Sequence, residues 1–133
     1  MISQGANPLA AFPEEPLVVS SVAIASQDDS HVYVHCHCRH SVEGLLIRIW
    51  KTTFLNDISS GFKSSLIHTE NISMAPQWTM IPPSQPYSFL LIFTHLPHDC
   101  RVFDFVEEIP QPGGFSVCNI PRNETDVYHI NIL

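Results

Sequence analysis

Glycine and basic residues are scarce in this sequence, whereas proline is not. Of its 133 residues, 5 are glycine and 6 are lysine or arginine, against 11 prolines and 13 acidic residues, so the formal net charge is −7. Without a basic cluster, the chain lacks the charge pattern that attracts nucleic acid or an anionic membrane surface. No apolar run approaches the roughly 18–20 residues of a membrane span. The composition predicts a globular protein that binds neither nucleic acid nor membranes, with stiff loops.

The sequence also lacks the motifs of common enzyme chemistries. It has no nucleophile elbow, no phosphate-binding glycine loop, no His-Glu-x-x-His, no dinucleotide fingerprint and no Cys-x-x-Cys. His98, Asp99 and Cys100, together with Asp104, are residue types of a nucleophilic triad, but the same types are expected where a loop enters a strand. We therefore predict a protein that is not an enzyme, with no catalytic residue and no cofactor.

Hydrophobicity alternates with a period of two wherever a period is present. The alternating runs are separated by turn-forming segments such as 56–61 and 110–114. This spacing predicts an all-β fold of about eight or nine short strands, arranged as an antiparallel β-sandwich. Residues 1–15 are expected to be a flexible N-terminal segment, and residues 16–133 a single domain that begins with a strand over 16–26.

Residues 71–86 interrupt the alternation with several prolines. An aperiodic segment of this length is uncommon in a compact domain and is often functional. Exposed aromatic side chains here can anchor a protein partner or stack on a sugar. Trp50 has a second interpretation, as a core residue beneath this segment. The candidate binding residues are Trp78, Met80, Trp50, Arg48 and Tyr33.

Residues 31–40, HVYVHCHCRH, concentrate histidine and cysteine. In an extended strand, Cys36 and Cys38 share one face with valines, while His35 and His37 share the other. We interpret this as a buried face with free cysteines and a polar outer face. The alternative is a metal or thiol site. His35 and His37 could share one metal, but zinc needs further ligands from another strand, for which the candidates are His95, His98 and His129.

The remaining two cysteines, Cys100 and Cys118, are a candidate disulfide. If Phe105 pairs with Phe115 across a hairpin, Phe103 and Phe105 point to the core, and the two cysteines lie diagonally on the opposite face. A disulfide requires Cα atoms within about 7 Å. The sequence allows this pair without requiring it.

A succession of strand and turn motifs runs from Ser30 to Ile120. The motifs are LLIRIW (45–50), TFLND (53–57), GF (61–62), ENI (70–72), FLLIFTHLP (89–97), VFDFVEE (102–108) and GFSVCNI (114–120). The succession resembles an uncharacterised β-rich module of exported proteins from Gram-negative anaerobes, which is sometimes found beside thioredoxin-like domains. The family pattern has glycine where this chain has Glu108.

The resemblance implies an immunoglobulin-like sandwich without assigned chemistry, in an extracytoplasmic protein whose signal has been removed; a cytosolic protein is the alternative. It implies core positions for Phe103 and Phe105 and gives the histidines and cysteines no role. We predict a non-enzymatic module that binds another protein or domain. Carbohydrate binding through the exposed aromatics and a His/Cys metal or thiol site are the alternatives, and the oligomeric state stays open.

Overall fold

The computed structural model describes residues 30–39 and 44–132, and the predicted N-terminal segment and the strand over 16–26 lie outside them. Within the described residues the chain forms nine strands and no helix. The prediction of an all-β fold is confirmed. The strands are β1 (Val32–Cys38), β2 (Leu45–Ile47), β3 (Phe54–Asp57), β4 (Lys63–Glu70), β5 (Thr79–Ile81), β6 (Tyr87–Phe93), β7 (Val102–Val106), β8 (Ser116–Pro121) and β9 (Val127–Asn131).

Seven of these strands form one curled sheet in the order β8-β7-β3-β4-β6-β1-β9. Neighbours are antiparallel except β1 and β9, which run parallel. The sheet is therefore mixed and not purely antiparallel as predicted, because β9 pairs with β1 in the parallel direction. The rings of Phe103 on β7 and Tyr128 on β9 lie 5.0 Å apart. The two ends of the sheet thus approach each other, and the sheet nearly closes into a barrel.

The core lies inside this curled sheet. Alternate residues of β1, β6 and β7 are buried, as a period of two requires. Phe103 and Phe105 are buried as predicted, and Phe105 makes edge-to-face contacts with Phe93 and Phe115 at 6.1 and 5.9 Å. Each such buried side chain contributes roughly 1.5–3 kcal/mol of hydrophobic stabilisation.

The β3–β4 hairpin turns where the sequence predicts it. Gly61, with φ of 78°, occupies the left-handed conformation that glycine adopts without strain. Its N–H donates to the Asp57 carbonyl at 2.7 Å, and the Asp57 N–H donates to the Phe62 carbonyl at 2.9 Å. The Asp57 carboxylate accepts from the Ser60 hydroxyl at 2.7 Å, and this bond lowers its pKa.

The two remaining strands, β2 and β5, form a separate ribbon. Leu46 lies opposite Met80, flanked by the pairs Leu45–Ile81 and Ile47–Thr79. The aperiodic segment 71–86 therefore contains a strand that the sequence did not predict. The strand predicted over residues 45–50 ends at Ile47, and Ile49 instead makes a parallel bridge to Met74.

Candidate functional site

The β2–β5 ribbon presents an apolar and aromatic surface, which we call the ribbon surface and define as Leu46, Arg48, Trp50, Trp78 and Met80. Met80 is 61% exposed, Leu46 56% and Trp78 53%. Leu46 and Met80 are direct cross-strand neighbours. Cross-strand pairs place their side chains on the same face about 5 Å apart, so these two side chains form one continuous apolar area.

Arg48 organises the two indoles of this surface. Its guanidinium carbon lies 3.9 Å from the centroid of the Trp78 ring and 5.2 Å from that of Trp50. Its Nη1 donates a hydrogen bond to the Pro76 carbonyl at 3.1 Å. Cation–π contacts of this kind are favourable at protein surfaces. The contact with the Arg48 guanidinium therefore restrains the exposed Trp78 ring.

Hydrogen bonds also fix the segment that carries Trp78. The Ser73 N–H donates to the Thr79 hydroxyl at 2.8 Å, and the two hydroxyls of this pair lie 2.6 Å apart. The Ile49 N–H donates to the Ser73 carbonyl at 3.0 Å, and the Ala75 N–H donates to the Ile49 carbonyl at 2.9 Å. The aperiodic segment is therefore connected by hydrogen bonds to the chain that follows β2 and continues the ribbon.

Four of the five predicted binding residues meet at the ribbon surface: Arg48, Trp50, Trp78 and Met80. Trp50 is half-buried, so it is partly accessible for binding and partly packed, as its two interpretations from the sequence describe. Tyr33 lies elsewhere, on β1 between Ile92 and Val127 of the neighbouring strands. Leu46 was missed, because a leucine within the apolar run 45–47 carries no signal of exposure.

The ribbon surface can bury area but cannot do acid–base or nucleophilic chemistry. Its one ionic group is a guanidinium, which does not release its proton in proteins. Its remaining members are hydrocarbon, thioether and indole groups. A surface of this composition fits recognition.

His35 and His37 lie where the alternation predicts, on the outer face of β1. His129 on β9 adds a third ring. The ring planes of His35 and His129 differ by 12°, with centroids 4.8 Å apart. Those of His37 and His129 differ by 6°, and His37 Nε2 lies 2.9 Å from His129 Nδ1. His37 Nδ1 lies 2.7 Å from the Ser88 hydroxyl. We call His35, His37 and His129 the imidazole cluster.

Burial lowers the pKa of all three rings in the imidazole cluster. The pKa of His35 falls to about 4, because burial and the neighbouring rings of His129 and His37 disfavour its charged form. The pKa of His37 is lowered by burial and by His129, and that of His129 by burial. The three rings are therefore predominantly neutral at neutral pH.

The imidazole cluster does not complete the metal site considered from the sequence. The described part of the chain contains no group of three or more His, Cys, Asp or Glu side chains placed to hold a metal ion. Near-parallel rings do not converge their nitrogen lone pairs on one point, as a tetrahedral site requires. His95, another candidate ligand, contacts Phe62 instead, with ring centroids 5.5 Å apart.

The four cysteines form no disulfide, and all but the exposed Cys118 are buried. Cys36 and Cys38 are buried in the core, and burial raises the pKa of Cys38 to about 11 and that of Cys36 well above its usual range. Cys100 and Cys118 are both free thiols. A free buried cysteine behaves as a small apolar side chain.

The predicted Cys100–Cys118 disulfide fails because the hairpin register differs from the expected one. Phe105 pairs with Val117 and not with Phe115. Cys118 therefore lies beside the bulge, opposite Asp104. Asp104 is itself four residues along the chain from Cys100. At about 3.3 Å per extended residue, this separation exceeds the reach of a disulfide.

The triad of residue types at 98–104 is not assembled either. Burial and the Asp57 carboxylate raise the pKa of Cys100 to about 11. Asp104 accepts a hydrogen bond from the Asn119 N–H at 2.8 Å. An open cavity of about 320 Å³ beside Cys100 includes Arg122 in its lining. Within this cavity the Arg122 guanidinium is already bonded to Asp126 and to two carbonyls.

Comparison with protein-family models, with curated proteins and with solved structures gives no match to this chain. In the described residues there is no helix of a length and apolarity that could cross a membrane. What the site can do is therefore inferred from its own side chains.

Proposed function

We propose that this chain is a non-enzymatic binding module and that another protein docks on the ribbon surface. The observation that carries the proposal is the concentration of exposed large apolar side chains at one place. Leu46, Trp78 and Met80, three of the eight large hydrophobic side chains exposed among the described residues, belong to the ribbon surface. Contiguous exposed apolar patches commonly mark interaction sites.

Preorganisation of Trp78 supports the same function. Tryptophan and arginine dominate the binding energy of protein interfaces, where a buried anchor contributes about 2 kcal/mol or more. Arg48 already holds the Trp78 ring, so binding orders this side chain little further. Binding of a partner over the ring therefore costs little conformational entropy of the Trp78 side chain for the area that it buries.

Carbohydrate binding is supported less well. The guanidinium of Arg48 lies over one face of each indole, which leaves at most one face of each ring for stacking on a sugar. Tyr33, the third aromatic candidate, lies on a different sheet. The net charge of −7 also opposes close approach of a second copy of this chain, which favours a different protein as the partner.

For the fold, we propose a relation to immunoglobulin-like sandwiches. The Tyr128 hydroxyl, near the start of β9, accepts a hydrogen bond from the Asn123 N–H at 2.9 Å, five residues upstream. A tyrosine that bonds back across a corner in this manner is a recurrent feature of such sandwiches. The single mixed sheet differs from their two separate sheets. Assignment to the exported module stays a prediction.

The test of the binding function is Trp78→Ala. Trp78 is about half exposed, so its loss changes the free energy of unfolding by no more than about 0.5 kcal/mol beyond the lost Arg48 contact. Quantitative affinity enrichment from cells that produce the protein should recover one partner with the wild type and at least about tenfold less with Trp78→Ala.

The matched control is Ile67→Ala, because Ile67 is 49% exposed on β4, away from the ribbon. This variant should retain the partner. Equal recovery with Trp78→Ala and with the wild type contradicts the proposal. A collapse of the melting temperature in Trp78→Ala would instead assign Trp78 to the core.

A further inference from the structure

The imidazole cluster joins two strands that are distant in the sequence. His37 lies on β1, and His129 lies on β9, 92 residues later. The N–H···N hydrogen bond between them needs one nitrogen to donate and the other to accept, so at least one of the two rings must be neutral. Two protonated imidazoles cannot share this bond, because both nitrogens then carry hydrogen.

The rest of the contact also accommodates the neutral rings. With either tautomer of His37, one ring nitrogen donates and the other accepts, and the Ser88 hydroxyl can take the complementary role. The His35 ring lies over His129 with centroids 4.8 Å apart. Protonation of all three rings would place three positive charges on adjacent strand positions.

No described carboxylate contacts the imidazole cluster to compensate for that charge. On β1, the outward groups beyond the cluster are the exposed His31, Tyr33 and Arg39. On β6, the facing residues are Ser88, Leu90 and Ile92. On β9, they are Val127 and Asn131.

Two described carboxylates on or beside the neighbouring strands already have partners. One strand further, on β4, Glu70 is paired with His68 at 3.3 Å. Before β9, Asp126 is paired with Arg122 at 2.6 Å.

We propose that the imidazole cluster is an acid-sensitive contact that holds β9 against β1 at neutral pH and loosens β9 when the histidines are protonated. Among the strands that the structure describes, β9 is the last of the sheet and has β1 as its one hydrogen-bonded neighbour. Weakening the β1–β9 contact therefore acts on β9 before it acts on the strands in the middle of the sheet. This device is independent of the ribbon surface.

The direction of the pH dependence follows from the lowered pKa values. An unfolded histidine has a pKa near 6.5, whereas the pKa of His35 in the folded chain is about 4, and those of His37 and His129 are lowered as well. Between these values the open state binds protons that the closed state does not. The contact is therefore at full strength above about pH 6.5 and weakens progressively as the pH falls toward about 4.

Amide hydrogen exchange, corrected for the intrinsic pH dependence of exchange, tests this proposal. From about pH 7 to about pH 4.5, the protection factors of residues 127–131 should fall at least about tenfold, while those of β3 and β7 are retained. In His129→Gln, which removes the ring that contacts both others, the protection of β9 should depend on pH clearly less than in the wild type, because burial still lowers the pKa of His35 and His37. In the control His68→Gln, which alters an exposed histidine outside the cluster, the dependence should persist.

Should His129→Gln fail to fold, the wild-type histidines can be titrated by NMR. The proposal then requires the three cluster rings to titrate below the pKa of about 6.5 of an unfolded histidine and β9 protection to fall with them. Three outcomes overturn it: pH-independent protection of β9, a fall that is undiminished in folded His129→Gln, or simultaneous loss of protection in all strands.

Discussion

Arg48 occupies the position from which a single side chain affects most of the ribbon surface. Its guanidinium contacts both indoles, and its Nη1 ties it to the Pro76 carbonyl. A planar, weakly hydrated guanidinium stacks on aromatic rings while its alkyl stem covers apolar area. Arg48 therefore contributes to the shape of the surface more than to its charge.

Replacing Arg48 with methionine separates these two contributions. Methionine retains much of the apolar length but removes the cation, so Arg48→Met should lower the free energy of unfolding by about 0.5–2 kcal/mol. The Trp78 ring should also become more accessible to a collisional quencher. Urea unfolding measures the first effect, and acrylamide quenching in a Trp50→Phe background measures the second. Arg101→Met, at an exposed arginine, is the control. Unchanged quenching would show that Arg48 does not position Trp78.

At the scale of elements, the connection between β8 and β9 holds the two ends of the curled sheet together. Arg122 donates to both oxygens of the Asp126 carboxylate, at 2.6 and 3.0 Å, and to the Pro97 carbonyl at 2.9 Å. The Tyr128 hydroxyl donates to the same carboxylate at 2.9 Å. The side chains of Arg122 and Asp126 are 19% and 16% exposed, so water replaces few of these bonds.

Asp126→Ala should therefore be strongly destabilising. The substitution leaves the Arg122 cation largely buried without its carboxylate and removes the acceptor of the Tyr128 hydroxyl. The expected loss is roughly 2–3 kcal/mol in the free energy of unfolding, measured by urea denaturation. Glu124→Ala, at an exposed carboxylate in the same connection, should change it by no more than about 0.5 kcal/mol. Equal effects of the two variants would contradict the assigned role of Asp126.

The sequence predicts the strand face on which a side chain lies better than it predicts which residues pair across neighbouring strands. Phe103 and Phe105 lie in the core as expected, although Phe105 pairs with Val117 and not with Phe115. A shift of two residues leaves the face of Phe105 unchanged but separates specific pairs. Beyond the bulge the shift is three residues, and Cys100 lies in the core and not on the opposite face as predicted. The core assignment therefore survived the register error, while the Cys100–Cys118 disulfide did not. β5 was missed because three residues are too short to establish a period.

At the scale of the whole molecule, the contacts that define both proposed sites are long-range. Trp78 reaches Arg48 through the pairing of β2 with β5, and His129 reaches His37 through the parallel pairing of β1 with β9. Alternation predicts that Arg48 and Trp50 share a face and that His35 and His37 share another. It contains no information on which distant strand completes each group, because that depends on how the sheet curls.

Photo-crosslinking from position 80 tests the central claim, that the ribbon surface binds another protein, most directly. Met80 is the most exposed of the large hydrophobic side chains described, at 61%, so a photoreactive residue there replaces little internal packing. The account predicts a specific crosslink to one partner from position 80 in cells that produce the protein. It also predicts loss of this crosslink when Trp78→Ala is added, and none from position 67. Crosslinking at position 80 that does not exceed the yield at position 67 would contradict the account.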